Sequence, residues 1–351
     1  MMRALSVEPG TADSLAVTEA ALPEPAADEL LVTGLAIGVC GTDRELNGGQ
    51  YGWAPPGQER LIIGHESLGR VEAVPDGSDF AVGDLIAGVV RRPDPVPCPA
   101  CAHGEFDMCR NGEYTERGIK ELNGFGSEQW VVKQDFAIRL DPALGQTGVL
   151  MEPTSVVAKA WDEVFEVGGR AFFDPQTAVI IGGGTIGLLT ALLGRQRGLE
   201  VHVVNSSQKP NKEKLVRELG GQFHVGDLPQ VLAEVQPDIV LDTTGDSRTL
   251  ADILEAVTPY QVVCLLGMHD PQGATELDLA TIGKQIVLDN VAIVGSVNAN
   301  VEHWRQAAEA LAAADPQWLS ALITRTVPLT RALDAFDHEP GDIKVVIDLQ
   351  S

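Results

Sequence analysis

One stretch constrains the fold more than any other: residues 177–194, TAVIIGGGTIGLLTALLG. An apolar, β-branched run leads into Gly182-x-Gly184-x-x-Gly187, and an apolar helical pattern opens at Thr185-Ile186. In that context the first glycine permits a tight turn. The second lets the backbone approach a pyrophosphate at the helix N-terminus, and the third allows close helix–sheet packing. Beyond it, LEVHVVN reads as a strand and KEKLVRELG as a helix, and DIVLDTTG, YQVVCLLG and VAIVGSVN read as further strands. Strands alternating with helices predict an α/β domain with a Rossmann-type, doubly wound parallel sheet.

The chain before this domain has another character. ELLVTGLAIGV, LIIGHESLGRVEAV and DLIAGVV read as short strands between Gly, Pro and Asp turns, a β-rich, barrel-like pattern. Residues 94–125 are turn-rich and hold three cysteines, EQWVVKQDFAIRL resumes strands, and GVLMEPTSVVAKAWDEVFEV has helical spacing ending at Gly168-Gly169. After residue 298 come a helix (EHWRQAAEALAAA) and closing strands (IKVVIDL), read as a return to the first domain. The expected organisation is therefore a catalytic domain over 1–160 with a cysteine lobe at about 94–118, a dinucleotide domain over 161–298, and a return over 299–351.

The end of the second Rossmann strand bears on cofactor choice. An acid there would hold the ribose 2′-hydroxyl of NAD. Asn205, Ser206, Ser207 and Lys209 stand there instead. Hydroxyls and a lysine can take a 2′-phosphate, so NADP is expected, with NAD tolerated.

Metal-type groups precede the glycine turn: Cys40 in VCGTD, His65 and Glu66 in GHE, Glu152 in MEP, and the set Cys98, Cys101 and Cys109. Together these contexts resemble the zinc-dependent medium-chain alcohol dehydrogenases. CGTDREL, VVRRP, CRNGEYTERGI, LMEP and GSVNANVEHW resemble in particular the archaeal glucose 1-dehydrogenases, over nearly the whole chain. The resemblance implies a GroES-like catalytic domain beside the Rossmann domain. It also implies a catalytic zinc on Cys40, His65 and Glu152, with Glu66 close to the metal, and Thr42 as the hydroxyl that hands a proton toward solvent. A Lewis-acid metal lowers the pKa of a sugar hydroxyl, and hydride leaves the same carbon for a nicotinamide.

Further implications concern substrate and lobe. Glu116 is implied to contact sugar hydroxyls; Asn298 and His303 are implied to touch nicotinamide or sugar. Cys98-x2-Cys101-x7-Cys109 matches the last three positions of the family's structural-zinc lobe, and the first falls on Asp94 or Pro95. A second zinc therefore depends on Asp94 or Glu113 supplying an oxygen, the alternative being a lobe of three reduced thiols. Cys264 reads as a buried apolar residue. The family's asparagine before the Arg pair is Val90, and an acid found in some members four residues after the ligand position is Val156. D-glucose oxidised at C1 to the lactone is expected, with galactose, xylose or arabinose open. The rivals are a polyol or threonine dehydrogenase and, in another class, an idle nucleotide-binding protein.

The formal net charge is −25, and the 25 basic residues are 17 Arg and 8 Lys. The acids are scattered, which reads as a solvated shell suited to a halophilic, high-salt cytoplasm. Like-charge repulsion disfavours nucleic acid and anionic membranes. No signal peptide or membrane-spanning run is read, and a homodimer or homotetramer joined through strands such as VAIVGSVN is expected.

Overall fold

The computed structural model describes residues 1–268, 273 and 275–351. The chain forms two compact units, residues 1–155 with 298–351, and residues 156–297. The helix Met151–Gly168 begins in the first and ends in the second.

The first unit is organised around the strand Glu29–Val39. Its side chains alternate between half-buried and buried, the period-two signature of a strand with one face in a core. It pairs antiparallel with Glu66–Ala73, with Gln129–Lys133 and with Lys344–Asp348. The last pairing sets Val345 to Ile347 against Val39 to Ile37, so the end of the chain closes the middle of a seven-stranded sheet. Leu30, Val32, Ile37, Val71, Ile86 and Ile347 fill the core with Phe125 and Trp130, whose rings meet edge to face at 4.7 Å.

The run read as one strand, LIIGHESLGRVEAV, is broken. Leu61–Ile62 belongs to a three-stranded sheet with Met2–Val7, and Glu66–Ala73 belongs to the large one. Gly64 sits between them at φ +92°, a left-handed conformation that favours glycine. His65 is thereby delivered at the start of the new strand.

The second unit carries six parallel strands in the order Gln222–Val225, Glu200–Asn205, Thr177–Ile181, Ile239–Asp242, Val262–Leu265, Ala292–Gly295. This is the doubly wound sheet the sequence pattern predicts. Val179, Val204, Val240 and Val263 are buried, and Cys264 lies fully inside, as an apolar residue would. The pattern did not show the strand Gln222–Val225 or the helices Leu228–Val235, Ser247–Glu255 and Leu279–Leu288. Each is short, and each of these helices is set by an aspartate N-cap: Asp227, Asp246 and Asp278 accept backbone N–H groups of the first turn. No helix of the described residues is long and apolar enough to cross a membrane.

Candidate metal centre and dinucleotide site

Cys40 ends the Glu29–Val39 strand and caps the helix Gly41–Asn47. Its backbone N–H donates to Asp43 Oδ2 at 2.9 Å, which fixes where the thiol points. The thiol lies 3.0 Å from His65 Nε2, and His65 Nδ1 lies 3.5 Å from Asp43 Oδ1. Cys40, His65 and Glu66 bring their ligand atoms within 4.8 Å of one another. Burial pushes the Cys40 thiol up, with the His65 charge opposing. Burial alone would lower His65, but Cys40 and Asp43 hold it well above its usual range. A half-buried thiol and a buried imidazole within hydrogen-bond distance form a donor pair that a divalent cation fits: one soft sulfur and one nitrogen beside two carboxylates.

The two acids differ. Glu66 accepts from Lys344 Nζ on both oxygens, at 2.7 and 2.6 Å, and both side chains are buried. Gly38 makes room for this carboxylate, since a Cβ there would stand 2.0 Å from Glu66 Oε2. Glu152, in the first turn of Met151–Gly168, is outside the 4.8 Å set. Burial pushes its carboxyl up to about 7, with His65 opposing and Glu66 reinforcing. Thr42 is half-buried in the same short helix as Asp43. Lys344 and Asp43 are functional candidates that sequence reasoning missed. The signals were a lone lysine opening an apolar run and an acid three residues after Cys40.

Glu116 lies in the strand Thr115–Arg117 and is buried. Its Oε1 accepts from Arg91 Nε at 3.0 Å and from Asn298 Nδ2 at 2.7 Å, while its Oε2 takes no hydrogen bond among the described residues. The neighbouring segment packs against the residue before His65: a Cβ on Gly118 would lie 2.9 Å from the Gly64 backbone. Asn298 thus joins Glu116. His303 is employed differently, its Nδ1 accepting the Asn300 backbone N–H at 3.2 Å as part of a helix cap.

The sulfur atoms of Cys98, Cys101 and Cys109 also lie within 4.8 Å of one another. The backbone N–H of Arg110 draws the Cys98 thiol down to about 6, whereas burial raises Cys101 to about 11. Asp94 is not in this set; its carboxylate accepts from the Val96 N–H at 2.7 Å and the Asn111 amide at 2.8 Å. A closed structural zinc takes four ligands, and the described residues bring together three.

In the second unit Gly182 adopts φ +100°, and a Cβ on Gly187 would lie 1.8 Å from the Gly182 carbonyl oxygen. A Cβ on Gly184 would meet nothing within 4 Å, so that turn faces open space where a ligand can approach. The helix Thr185–Gln196, with Ile186 in its first turn, starts there. Asn205 Oδ1 accepts the Gly183 N–H at 3.3 Å, and its amide donates to the Ser207 carbonyl at 2.7 Å. Lys209 caps the next helix, and Lys212 Cδ comes within 3.4 Å of a Cβ built on Gly183. A cavity of about 560 Å³ is lined by Gly182, Asn205, Ser206, Asp227 and Arg248, among others. Asp227 is an acid the strand-end reading missed, because it comes from a later loop; its Oδ1 caps the Gln230 N–H at 3.4 Å.

Removing the Lys344 ammonium would leave Glu66 as an uncompensated buried charge. Lys344→Met is expected to destabilise the first unit by about 3–5 kcal/mol. Adding Glu66→Gln should restore a large part of that. Denaturant unfolding of both variants checks it, and equal losses in the single and double variants would contradict it.

Comparison with known proteins gives the family and the fold. Residues 145–349 match the family model described as glucose dehydrogenase C-terminus, and residues 26–142 match the alcohol dehydrogenase GroES-like domain. Glucose 1-dehydrogenase 1 of Caldivirga maquilingensis is 37% identical, over 99% of each chain. Glucose 1-dehydrogenase of Methanocella arvoryzae is 34% identical, again over 99% of each. Among solved structures, Haloferax mediterranei glucose dehydrogenase in complex with NADP, Zn and gluconolactone superposes with a TM-score of 0.90 at 30% identity, covering 99% of each chain. The chain belongs to the glucose dehydrogenase family, with an alcohol dehydrogenase GroES-like domain preceding the family's C-terminal part.

Proposed function

We propose that this protein is a zinc-dependent glucose 1-dehydrogenase, oxidising D-glucose at C1 to the lactone with NADP favoured over NAD. The observation that carries the reading is one of placement. A half-buried thiol against a buried imidazole, with two acids, lies in the same unit as Glu116, whose strand leads into Gly118 against Gly64. A metal-type donor set beside a carboxylate with one oxygen open to a hydroxyl suits a polyhydroxylated substrate. Relatives with full-length similarity bear the same activity in their names.

When bound, zinc supplies a Lewis acid to the anomeric hydroxyl and NADP accepts the hydride. Cys40 and His65 would hold the ion, with Glu152 as the third ligand. Glu152 is favoured over Glu66 because Lys344 already occupies both Glu66 oxygens, whereas the Glu152 carboxyl has no hydrogen-bond partner among the described residues. Glu66 with Lys344 keeps the ligand shell's surroundings charge-balanced. The Thr42 hydroxyl takes the proton toward solvent. Glu116 Oε2 accepts a sugar hydroxyl, while Arg91 and Asn298 hold the other oxygen in place. His303 is held by its helix cap, Nδ1 accepting the Asn300 backbone N–H. Backbone N–H groups at Gly184–Gly187 hold the pyrophosphate. Asn205, Ser206, Ser207, Lys209 and Lys212 form the neighbourhood for a 2′-phosphate.

The test is a set of initial rates with glucose, galactose, xylose, arabinose, sorbitol and threonine, each with NADP and NAD, in low and molar KCl. An aldose with NADP should be the fastest pair. Its rate should hold or rise in molar salt if the acidic surface reflects a high-salt cytoplasm. Turnover confined to sorbitol or threonine would overturn the assignment. Retained zinc without any turnover would favour the idle nucleotide-binding protein.

A homo-oligomer joined through the second unit is part of the same proposal. Ala292–Gly295 is the edge strand of its sheet, and Leu279, Val287 and Leu288 expose apolar side chains in the helix that precedes it. Light scattering should give at least twice the 37.3 kDa of one chain, and a single-chain mass would refute this.

A further inference from the structure

Two aromatic rings stand exposed in a loop that neither the fold nor the metal set requires. Tyr51 is 38% and Trp53 46% exposed, and their rings meet edge to face at 5.2 Å. The loop follows the Cys40-capped helix Gly41–Asn47 and is firmly anchored. Trp53 N–H donates to the Ile119 carbonyl and Glu121 N–H to the Trp53 carbonyl, both at 3.0 Å. Trp53 therefore forms an isolated parallel bridge with Lys120 in the segment just after Glu116. Between the rings, Gly52 turns at φ +103°, and a Cβ there would strike the Leu46 side chain. Partial burial raises the Tyr51 hydroxyl pKa, and the Glu116 charge raises it further.

We propose that Trp53, braced edge to face by Tyr51, forms an aromatic platform for the C–H face of a pyranose ring whose hydroxyls are read by Glu116, so that the site selects a cyclic aldose over an open-chain polyol. The inference rests on the sugar dehydrogenase reading and refines it.

The chemistry follows from the shape of a sugar. A pyranose carries hydroxyls around its rim and patches of C–H on its faces. The electron-rich face of an aromatic ring attracts the positive edge of C–H bonds, and burying that patch removes apolar surface from water. Tyrosine and tryptophan suit this use because their bulky rings lose little conformational freedom on binding. Glu116 supplies the polar part: Oε1 is fixed by Arg91 and Asn298, and Oε2 takes no hydrogen bond among the described residues. A stacking surface and a hydroxyl acceptor, backbone-tied to one another, distinguish a ring from a flexible chain. An acyclic polyol offers the carboxylate the same hydroxyls but gives the platform no flat face.

The zinc-loaded enzyme carries the test. Trp53→Ala should raise KM for glucose about tenfold while changing kcat much less and leaving KM for NADP near the wild-type value. Fluorescence gives a second readout. Of the five tryptophans, Trp130, Trp161, Trp304 and Trp318 are buried, so a change on adding glucose without cofactor should come from Trp53. Trp53→Phe should keep KM near wild type and lose that fluorescence response. An unchanged KM in Trp53→Ala, or wild-type emission indifferent to saturating glucose, would overturn the platform while leaving the dehydrogenase reading intact. A wild-type enzyme that oxidises no aldose would overturn the reading beneath it, and the platform with it.

Discussion

The buried ion pair between Lys344 and Glu66 is the contact on which the first unit's site depends. A carboxylate removed from water is tolerated only when it is paired and hydrogen-bonded. Lys344 meets both oxygens of Glu66 across 278 residues of sequence. It can do so only because Lys344–Asp348 enters the sheet against Glu29–Val39. That same strand ends in Cys40, and Glu66 is adjacent to His65. One pairing of strands therefore aligns the thiol, the imidazole and the acid, and brings the cation that offsets them. Asp43 adds a second tie by fixing the Cys40 backbone and facing His65.

The acidic composition has a more specific use than a hydrated surface alone. Asp227, Asp246, Asp278 and Asp315 each cap a helix N-terminus, and Asp141 caps a 3-10 segment. An aspartate there satisfies orphan backbone donors and complements the helix dipole, which stabilises helices too short to persist by propensity. The remaining acids still leave the surface strongly negative.

Much of this was legible in residues, because local constraints leave local marks. The turn at Gly182–Gly187 needs glycines at those spacings, and flanking apolar runs announce strand and helix. The contexts of Cys40, His65 and Glu66 were equally plain, and the structure brings these three side chains together. What escaped was non-local. Lys344 looks like an ordinary surface lysine until its strand is paired. Lys212 gains meaning only when the Gly183 turn folds against it. Asp227 reaches the cavity beside Asn205 from another loop. His303 also closes a helix cap through Nδ1, a role its position three residues after Asn300 could have suggested. The short helices after Asp227, Asp246 and Asp278 lacked enough turns to show a period, although their caps were in view.

The central claim is that the metal belongs to Cys40 and His65 rather than to the cysteine lobe. X-ray absorption at the zinc edge, on protein exchanged into buffer without free metal, addresses this directly. The account predicts a shell with one sulfur neighbour at about 2.3 Å and nitrogen or oxygen neighbours at about 2.0–2.2 Å. A shell of three or four sulfurs would put the tightly held zinc on Cys98, Cys101 and Cys109 and contradict it.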